Sequence, residues 1–351
     1  MKETEILHII SGTSNYNINF IKFVYSYFNI DKQRLIILGK NNGFYDSKIL
    51  FISKKKEVFK LIKEMRKAEK IFVHSLFSPH LVLLLFLQPW LLKKSYWVLW
   101  GGDLYYYKFR NKNLKSNFYE FIRKRVIKNF AHIVALVPGD YYLAKNWYKT
   151  KAQYHYAFYP NPIDYEYLDK IKNSKKETDR IVIQVGNSAD PMNKHIEILN
   201  KLSRFKEKNI EIITPLSYGD QKWAKTVSEA GKKLYGEKYQ PLLEFLPSEE
   251  YSKILNSVDI AIFNHDRQQA LGNILALLYL GKKVFIKSDI TPWDFFKGKG
   301  LIVFDTYGLD NLTFDELIYM DKNLKERNRE IIAKEFSEEK CAELWRNIFE
   351  N

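Results

Sequence analysis

One cysteine, Cys341, stands in a chain of 351 residues. A disulfide scaffold is thereby excluded, and a lone thiol fits a reducing compartment. There is also no uninterrupted run of about twenty apolar residues, the length needed to cross a bilayer. Leu81 to Leu87 is strongly apolar, but Gln88-Pro89 and then Lys93-Lys94 break it. Ser78 to Trp100 therefore reads as a buried helix followed by a buried strand. Shallow membrane docking through Trp90-Leu91-Leu92-Lys93-Lys94 is the alternative use of that stretch. The N-terminus lacks the basic, apolar and small-residue layout of a secretion signal, and Glu3 and Glu5 oppose one, so a cytoplasmic position is expected. Several chemical signatures are missing too: Gly-x-Gly-x-x-Gly, the Walker loop, His-Glu-x-x-His, and an Asp-x-Asp that would hold a metal against a diphosphate. Metal-independent chemistry without a cofactor is the expectation.

What the chain does contain is apolar residues at 46% and a net charge of +15. The first figure is that of a globular protein with true cores, and the length suits two domains. The charge is one-sided. Residues 1–170 hold 28 Lys+Arg against 13 Asp+Glu, whereas 171–351 balance at 28 and 28. The excess is densest from Lys108 to Lys151, with 11 basic and 2 acidic residues. Such a field attracts a polyanion, either nucleic acid or an anionic membrane face, unless it is only a solvated surface.

Short β-branched runs alternate with amphipathic stretches. In the first half the expected strands are Ile6–Ile10, Leu35–Leu38, Ile71–His74, Tyr96–Trp100, Ile133–Val137 and Tyr154–Tyr159. In the second they are Ile181–Val185, Ile210–Thr214, Leu242–Leu246, Asp259–Phe263, Lys283–Ile286 and Leu301–Phe304. This alternation predicts doubly wound parallel sheets. Pro160-Asn161-Pro162 ends the first series, and the polar stretch around Asn173-Ser174-Lys175-Lys176 separates it from the second. The expected domains are 1–165 and 166–336, each an α/β Rossmann-like unit. A helix over 337–351 carries Cys341, Leu344, Trp345 and Ile348 on one face, fit to pack back on the first domain.

In a pair of such domains the turns at the carboxyl ends of the strands are where chemistry sits. Gly186-Asn187-Ser188 follows the strand at 181–185 and precedes an apolar helical pattern that Pro191 can open. That arrangement suits a bound anion, although an ordinary strand–helix turn reads the same way. Asn264-His265-Asp266-Arg267-Gln268-Gln269 precedes the helix Ala270–Leu280, whose first turn contains Gly272-Asn273. Arg267 offers a planar donor fork, with Gln268, Gln269 and Tyr218 as neutral partners for phosphate or sugar hydroxyls. The plain alternative pairs Arg267 with Asp266 or another surface acid. In the first half, Asp103 in Trp100-Gly101-Gly102-Asp103 is a candidate general base or a helix cap. His74 is a candidate base, an acceptor-orienting group or a satisfied core histidine.

Four segments occur together in one known family: Phe72-Val73-His74-Ser75-Leu76-Phe77-Ser78-Pro79, Trp100-Gly101-Gly102-Asp103-Leu104-Tyr105, Val185-Gly186-Asn187-Ser188-Ala189-Asp190 and Arg267-Gln268-Gln269-Ala270-Leu271-Gly272. The chain resembles the TDP-N-acetylfucosamine:lipid II N-acetylfucosaminyltransferases of enterobacterial common antigen synthesis, glycosyltransferase family 56. Ala270 stands where the family motif usually has Gly. The resemblance implies a GT-B fold, two Rossmann-like domains facing across a cleft. It implies a dTDP-, UDP- or GDP-linked sugar donor met by Gly186, Asn187, Ser188, Arg267, Gln268 and Gln269, to which the reading of the turns adds Tyr218, Gly272 and Asn273 as donor-side candidates. It also implies a saccharide acceptor, lipid-linked, facing His74 and Asp103, and a peripheral position on the cytoplasmic face of the inner membrane. The basic N-terminal half would meet that anionic surface, with no nucleic acid as partner. Transfer of another sugar, such as fucose, to another glycan is the alternative within the fold. A basic nucleic-acid-binding protein is the alternative outside it.

Overall fold

The computed structural model describes residues 6–41, 46, 48–161, 164–174, 176 and 178–351. Glu3, Glu5, Pro162 and Lys175, used above, lie outside the described residues. The chain divides into two compact units, 1–160 with 338–351, and 161–337. The division thus falls at Pro160/Asn161, five residues before the position expected from the linker.

Unit 1 runs β1 (Ile6–Ser11), α1 (Asn15–Tyr27), β2 (Gln33–Leu38), β3 (Ile49–Ile52), α2 (Val58–Lys67), β4 (Lys70–His74), α3 (Pro79–Leu87), β5 (Ser95–Val98), α4 (Gly101–Phe109), α5 (Leu114–Asn129), β6 (His132–Ala135), α6 (Pro138–Tyr148) and β7 (Gln153–Tyr156). Among the described residues its sheet has seven parallel strands in the order β3-β2-β1-β4-β5-β6-β7. Ile9 pairs with Ile36 on one side and Val73 on the other. Their side chains join Leu7, Trp97, Ile133 and the inner faces of α2, α3 and α5 in one core.

Unit 2 runs α7 (Tyr165–Ile171), β8 (Ile181–Val185), α8 (His195–Leu202), β9 (Ile210–Pro215), α9 (Gln221–Tyr235), β10 (Tyr239–Leu242), α10 (Ser248–Ser257), β11 (Ile260–Phe263), α11 (Leu271–Tyr279), β12 (Lys283–Ile286), α12 (Thr291–Gly298), β13 (Phe304–Asp305), α13 (Phe314–Ile318) and α14 (Lys322–Glu335). Its six described strands are parallel, in the order β10-β9-β8-β11-β12-β13. Each sheet starts in its middle, winds one way, then returns and winds the other. The reversal lies between β1 and β4 in unit 1, and between β8 and β11 in unit 2.

The last helix, α15 (Glu338–Glu350), belongs to unit 1. Trp345 is wholly buried, and its indole N–H donates to the Phe158 carbonyl at 2.8 Å. Its ring lies 5.2 Å from Phe20 and 5.8 Å from Phe72. Lys70 donates to the carbonyl of Phe349 at 2.8 Å, placing a cation at the negative end of the helix.

Some expectations shift. The third strand of unit 2 is Tyr239–Leu242 rather than Leu242–Leu246, because Tyr239 is the buried anchor, with its hydroxyl 2.6 Å from that of Thr214. The short strand β3 was not foreseen. Gly101-Gly102-Asp103 is not a turn but the first turn of α4. The helix after Gly186-Asn187-Ser188 starts at His195, since Pro191–Asn193 forms only a 3-10 turn and Lys194 is left-handed.

Candidate functional site

The carboxyl ends of β8 and β11 adjoin at the reversal of unit 2, the position where open α/β sheets bind ligands. Gly186 leaves β8 at φ +72°, and a Cβ there would come within 2.5 Å of His195 Nε2. Only glycine lets the chain turn this close to that ring. Beyond it, Asn187 and Ser188 are nearly buried, and the loop after β11 reaches them. The Gln269 amide donates to Asn187 Oδ1 at 3.1 Å and to Ser188 Oγ at 3.3 Å. Asn187 Nδ2 donates to the Tyr218 hydroxyl at 3.0 Å, so the half-exposed Tyr218 ring flanks the turn from the end of β9. Asn187, Ser188, Tyr218 and Gln269 therefore form one hydrogen-bonded group.

Arg267 beside this group is paired with an acid, as the plain alternative had it, but with Asp190 rather than the Asp266 named there. Its Nη2 donates to Asp190 Oδ2 at 3.0 Å, and its Nη1 donates to the Gln268 carbonyl at 3.0 Å. The first bond orients the guanidinium by tying it to the β8 loop. Asp266 is taken instead by two lysines. Lys194 Nζ lies 2.9 Å from it, and the nearly buried Lys287 also donates to it. Burial pushes the Asp266 carboxyl up, but the two ammonium groups outweigh it and hold the carboxyl below its usual range. Burial likewise lowers Lys287, while Asp266 more than offsets that and raises it. Arg267, Lys194 and Lys287 thus face Asp190 and Asp266, and Asp289 acts on Lys287 as well, so the charges at this end of unit 2 balance. Sequence reasoning missed Lys194 and Lys287. Lys287 directly follows β12, and nothing local marked it.

Gly272 and Asn273 are half-buried in the first turn of α11. Ala270, just before that helix, has φ +60°. Gln268 contributes its main-chain carbonyl to Arg267. His265, beside the loop, is fully buried against Phe263, and burial pushes its imidazole down to about 3. It is a neutral core ring. Among the described residues, no group of three or more His, Cys, Asp or Glu side chains is placed to hold a metal ion.

In unit 1, His74 and Asp103 are both interior. Asp103 is 1% exposed, and its two carboxylate oxygens accept four donors. Leu76 N–H and the Trp97 indole reach Oδ2 at 2.8 Å each, and Trp100 N–H and Leu104 N–H reach Oδ1 at 2.9 Å each. This is the cap geometry: the carboxylate closes the N-terminus of α4 and ties it to the turn after β4. Burial raises its pKa to about 6 against the pull of those donors and of Arg123. Arg123 completes the tie, donating to the carbonyls of Leu76 at 3.1 Å and Asp103 at 2.6 Å.

His74 is 2% exposed and has both ring nitrogens in use. Nε2 lies 2.9 Å from His8 Nδ1, and Nδ1 meets the Tyr159 hydroxyl. His8 Nε2 in turn lies 2.8 Å from Gln33 Oε1. With that carbonyl as acceptor, each ring donates through Nε2 and accepts at Nδ1, so Tyr159 donates to His74. Burial pushes His74 well below the usual imidazole range and His8 to about 4. A proton taken from solvent has no lone pair waiting for it at either residue, so the general-base reading has no geometric support. What the two groups hold in place is a surface. Ser75, at φ +75°, follows His74, while Tyr159 packs 4.9 Å from Trp100, and half-exposed Tyr16 lies 5.9 Å from Trp100. Tyr16 and Trp100 were not singled out from sequence, since single aromatics in an aromatic-rich chain carry no local signal.

The sequence profile of the family described as 4-alpha-L-fucosyltransferase, glycosyl transferase group 56, matches residues 35–351. Among solved structures, a glycosyltransferase from Rickettsia africae ESF-5 superposes with a TM-score of 0.68 at 15% identity, covering 100% of this chain and 98% of the other. Anabaena HepE, solved with UDP and glucose, gives 0.70 at 10% identity over 99% of both chains. WaaG, a glycosyltransferase of lipopolysaccharide biosynthesis, gives 0.65 at 12% identity over 98% of both. These likenesses establish the GT-B fold of paired Rossmann-like domains.

Proposed function

Since the chain belongs to the 4-alpha-L-fucosyltransferase glycosyl transferase group 56, and is thus a glycosyltransferase, we propose that it moves a deoxy or deoxyamino hexose, N-acetylfucosamine or fucose, from a nucleotide diphosphate to a saccharide acceptor. The acceptor in this reading is lipid-linked and serves cell-surface polysaccharide synthesis. The donor binds unit 2 and the acceptor binds unit 1. The supporting observation is the convergence at the β8–β11 reversal of Arg267, Gln269, Asn187 and Ser188, next to the paired lysines Lys194 and Lys287. A solved relative of the same fold, HepE, was obtained with UDP and glucose.

The chemistry follows from charge. Breaking the sugar–phosphate bond places negative charge on the departing diphosphate. Pre-placed donors around that oxygen stabilise it without reorganising during the step. Arg267, already oriented by Asp190, supplies charge-assisted donors, with Lys194 and Lys287 standing beside it. In this reading the cations do what a metal does elsewhere. Gln269, Asn187, Ser188 and Tyr218 orient the nucleotide or sugar hydroxyls, and Gly272 and Asn273 leave the start of α11 open to it. On the acceptor side, His74 and Asp103 are positioning residues that hold Trp100 and the Ser75 turn. Half-buried Trp100 and the more exposed Tyr16 beside it are the stacking surface for a saccharide.

Isothermal titration of the full-length protein with UDP, dTDP and GDP, and then with their sugars, tests this. One nucleotide diphosphate should bind with a Kd in the micromolar range, and Arg267→Ala should weaken it. Absence of binding by all three, or binding untouched by Arg267→Ala, removes the donor site from unit 2.

A further inference from the structure

Four polar side chains of unit 1 form a hydrogen-bonded line that the donor site does not use. From the first residue of β2 to the segment after β7 it runs Gln33, His8, His74, Tyr159. The two imidazoles are interior, whereas Gln33 and Tyr159 are half-buried at the ends. Aromatic rings wall the line. Phe72 stacks on His8 at 5.4 Å, and Phe349 meets the same ring edge-on at 5.5 Å. Phe20 lies 4.7 Å from His74, and Trp345 stacks on it at 6.4 Å. These walls shield the imidazoles, so a proton reaches them through the ends of the line. Polar groups buried this way add little over an apolar filling of the same shape, so stability alone does not account for them.

One end sets the direction of every bond. The Gln33 amide oxygen accepts and cannot donate, so His8 and then His74 donate through Nε2 and accept at Nδ1. Tyr159 therefore gives its hydroxyl proton to His74 Nδ1. Its oxygen keeps only lone pairs to offer a ligand. The Tyr159 ring lies 4.9 Å from Trp100, on the surface proposed for the saccharide.

We infer that Tyr159 receives the proton of the attacking acceptor hydroxyl and that His74 and His8 take it up by relay. The acceptor oxygen bonds to the anomeric carbon of the donor sugar as the bond from that carbon to the diphosphate oxygen breaks, and the diphosphate leaves with the electron pair. The hydroxyl proton moves to Tyr159 Oη, the phenol's own proton moves to His74 Nδ1, and the His74 Nε2 proton moves to His8 Nδ1. The line then holds one positive charge at His8, whose Nε2–H stays on Gln33. The Gln33 oxygen has no proton to pass on, so the charge returns through Tyr159 to water once the product has left. Burial disfavours an imidazolium at both rings, which drives that return. Burial also raises the Tyr159 phenol well above its usual range, against the pull of the Trp100 indole, so the phenol conducts a proton rather than resting as an anion. Tyr159 is the catalytic residue here, and His74 and His8 are positioning residues that act through it. The inference rests on the reading of a saccharide acceptor on unit 1 and uses no residue of the donor site.

Two measurements test it. Heteronuclear NMR of the full-length protein with labelled histidine rings identifies the protonated nitrogens without any ligand. His8 and His74 should both carry their proton on Nε2 at neutral pH. A proton on His74 Nδ1 would make Tyr159 a donor to the ligand and overturn the inference. The second measurement is release of nucleoside diphosphate from UDP-, dTDP- and GDP-sugars, with a detergent extract of bacterial membrane lipids as the source of acceptor. Tyr159→Phe should lower kcat about a hundredfold or more, with KM for the nucleotide sugar unchanged within about twofold. His74→Asn keeps an oxygen to accept the Tyr159 hydroxyl but no nitrogen to hold a proton, and it should lose as much. Circular dichroism and nucleoside diphosphate titration should match the parent for both. Parental nucleotide binding with parental turnover in either variant would overturn the relay alone. A parent that binds nucleotide yet releases none from any of the three sugars would remove the acceptor reading and the relay with it.

Discussion

Arg267 is held by a carboxylate from another loop, and that tether makes the consequence of its removal asymmetric. Arg267→Ala should weaken nucleotide diphosphate binding about tenfold to a hundredfold, the loss of a charge-assisted donor pair. Asp190→Asn leaves the charge but loosens its aim, so calorimetry should find a smaller loss. Asp103 is a different kind of residue. Four N–H donors converge on its carboxylate. Asp103→Asn turns an amide NH2 toward donors and should cost about 2–3 kcal/mol, read as a lowered urea midpoint with an unchanged slope. A variant with parental stability but no turnover would restore the base reading that the geometry disfavours. Gly186→Ala should be more damaging than its size suggests, because of the left-handed backbone and the His195 ring behind it.

Two helices show what an element can and cannot reveal in advance. Helix α11 starts after Ala270 at φ +60°, a conformation that costs an L side chain about 1–2 kcal/mol. Ala270→Gly removes that strain and pays part of it back in chain entropy. It should raise stability by about 0.5–1 kcal/mol, seen as a higher unfolding midpoint. An unchanged or lowered midpoint would mean the loop relieves the strain elsewhere. Helix α15 is fastened by Trp345, so Trp345→Ala should cost unit 1 about 3–5 kcal/mol. Most of this architecture was legible from pattern. The β-branched runs at 181–185, 210–214 and 283–286 and the apolar face of the final helix follow from periodicity. The rest was not local. Tyr239 anchors β10 through a hydroxyl partner 25 residues away, and the helix at Gly101-Gly102-Asp103 forms despite two glycines because Asp103 caps it. Likewise, the turn at 186–188 could be read from sequence, but the choice of Asp190 rather than Asp266 for Arg267 depends on which loops the sheet order makes neighbours.

Across the whole molecule the buried imidazoles set the response to acid. Burial lowers His8 and His155 to about 4 and His74 well below its usual range in unit 1, and lowers His195 to about 4 and His265 to about 3 in unit 2. Between those values and about 6.5 the unfolded chain binds protons that the folded one refuses, so stability falls as pH drops through that window. Each such ring contributes up to about 1.4 kcal/mol per pH unit at its steepest. Asp103, raised to about 6, acts in the opposite sense, since the folded state takes its proton first as pH falls. One group against four in unit 1, His132 being lowered as well, does not reverse the slope. Calorimetry should therefore show both units melting lower at pH 5 than at pH 7.5, and a melting point equal or higher at pH 5 would contradict the burial argument.

The return of α15 to unit 1 also sets an order of assembly. The ribosome releases the indole that fills the space between Phe20 and Phe72 only after every residue of unit 2 has been made. During translation the sheet of unit 1 can pair its strands, but one aromatic face stays uncovered for the whole time that residues 161–337 are synthesised. The nascent chain is thus exposed on the unit made first rather than on the unit made last. Chaperone dependence or aggregation during synthesis should accordingly track changes in that first unit and in its final helix, and respond little to the thermodynamic strength of unit 2.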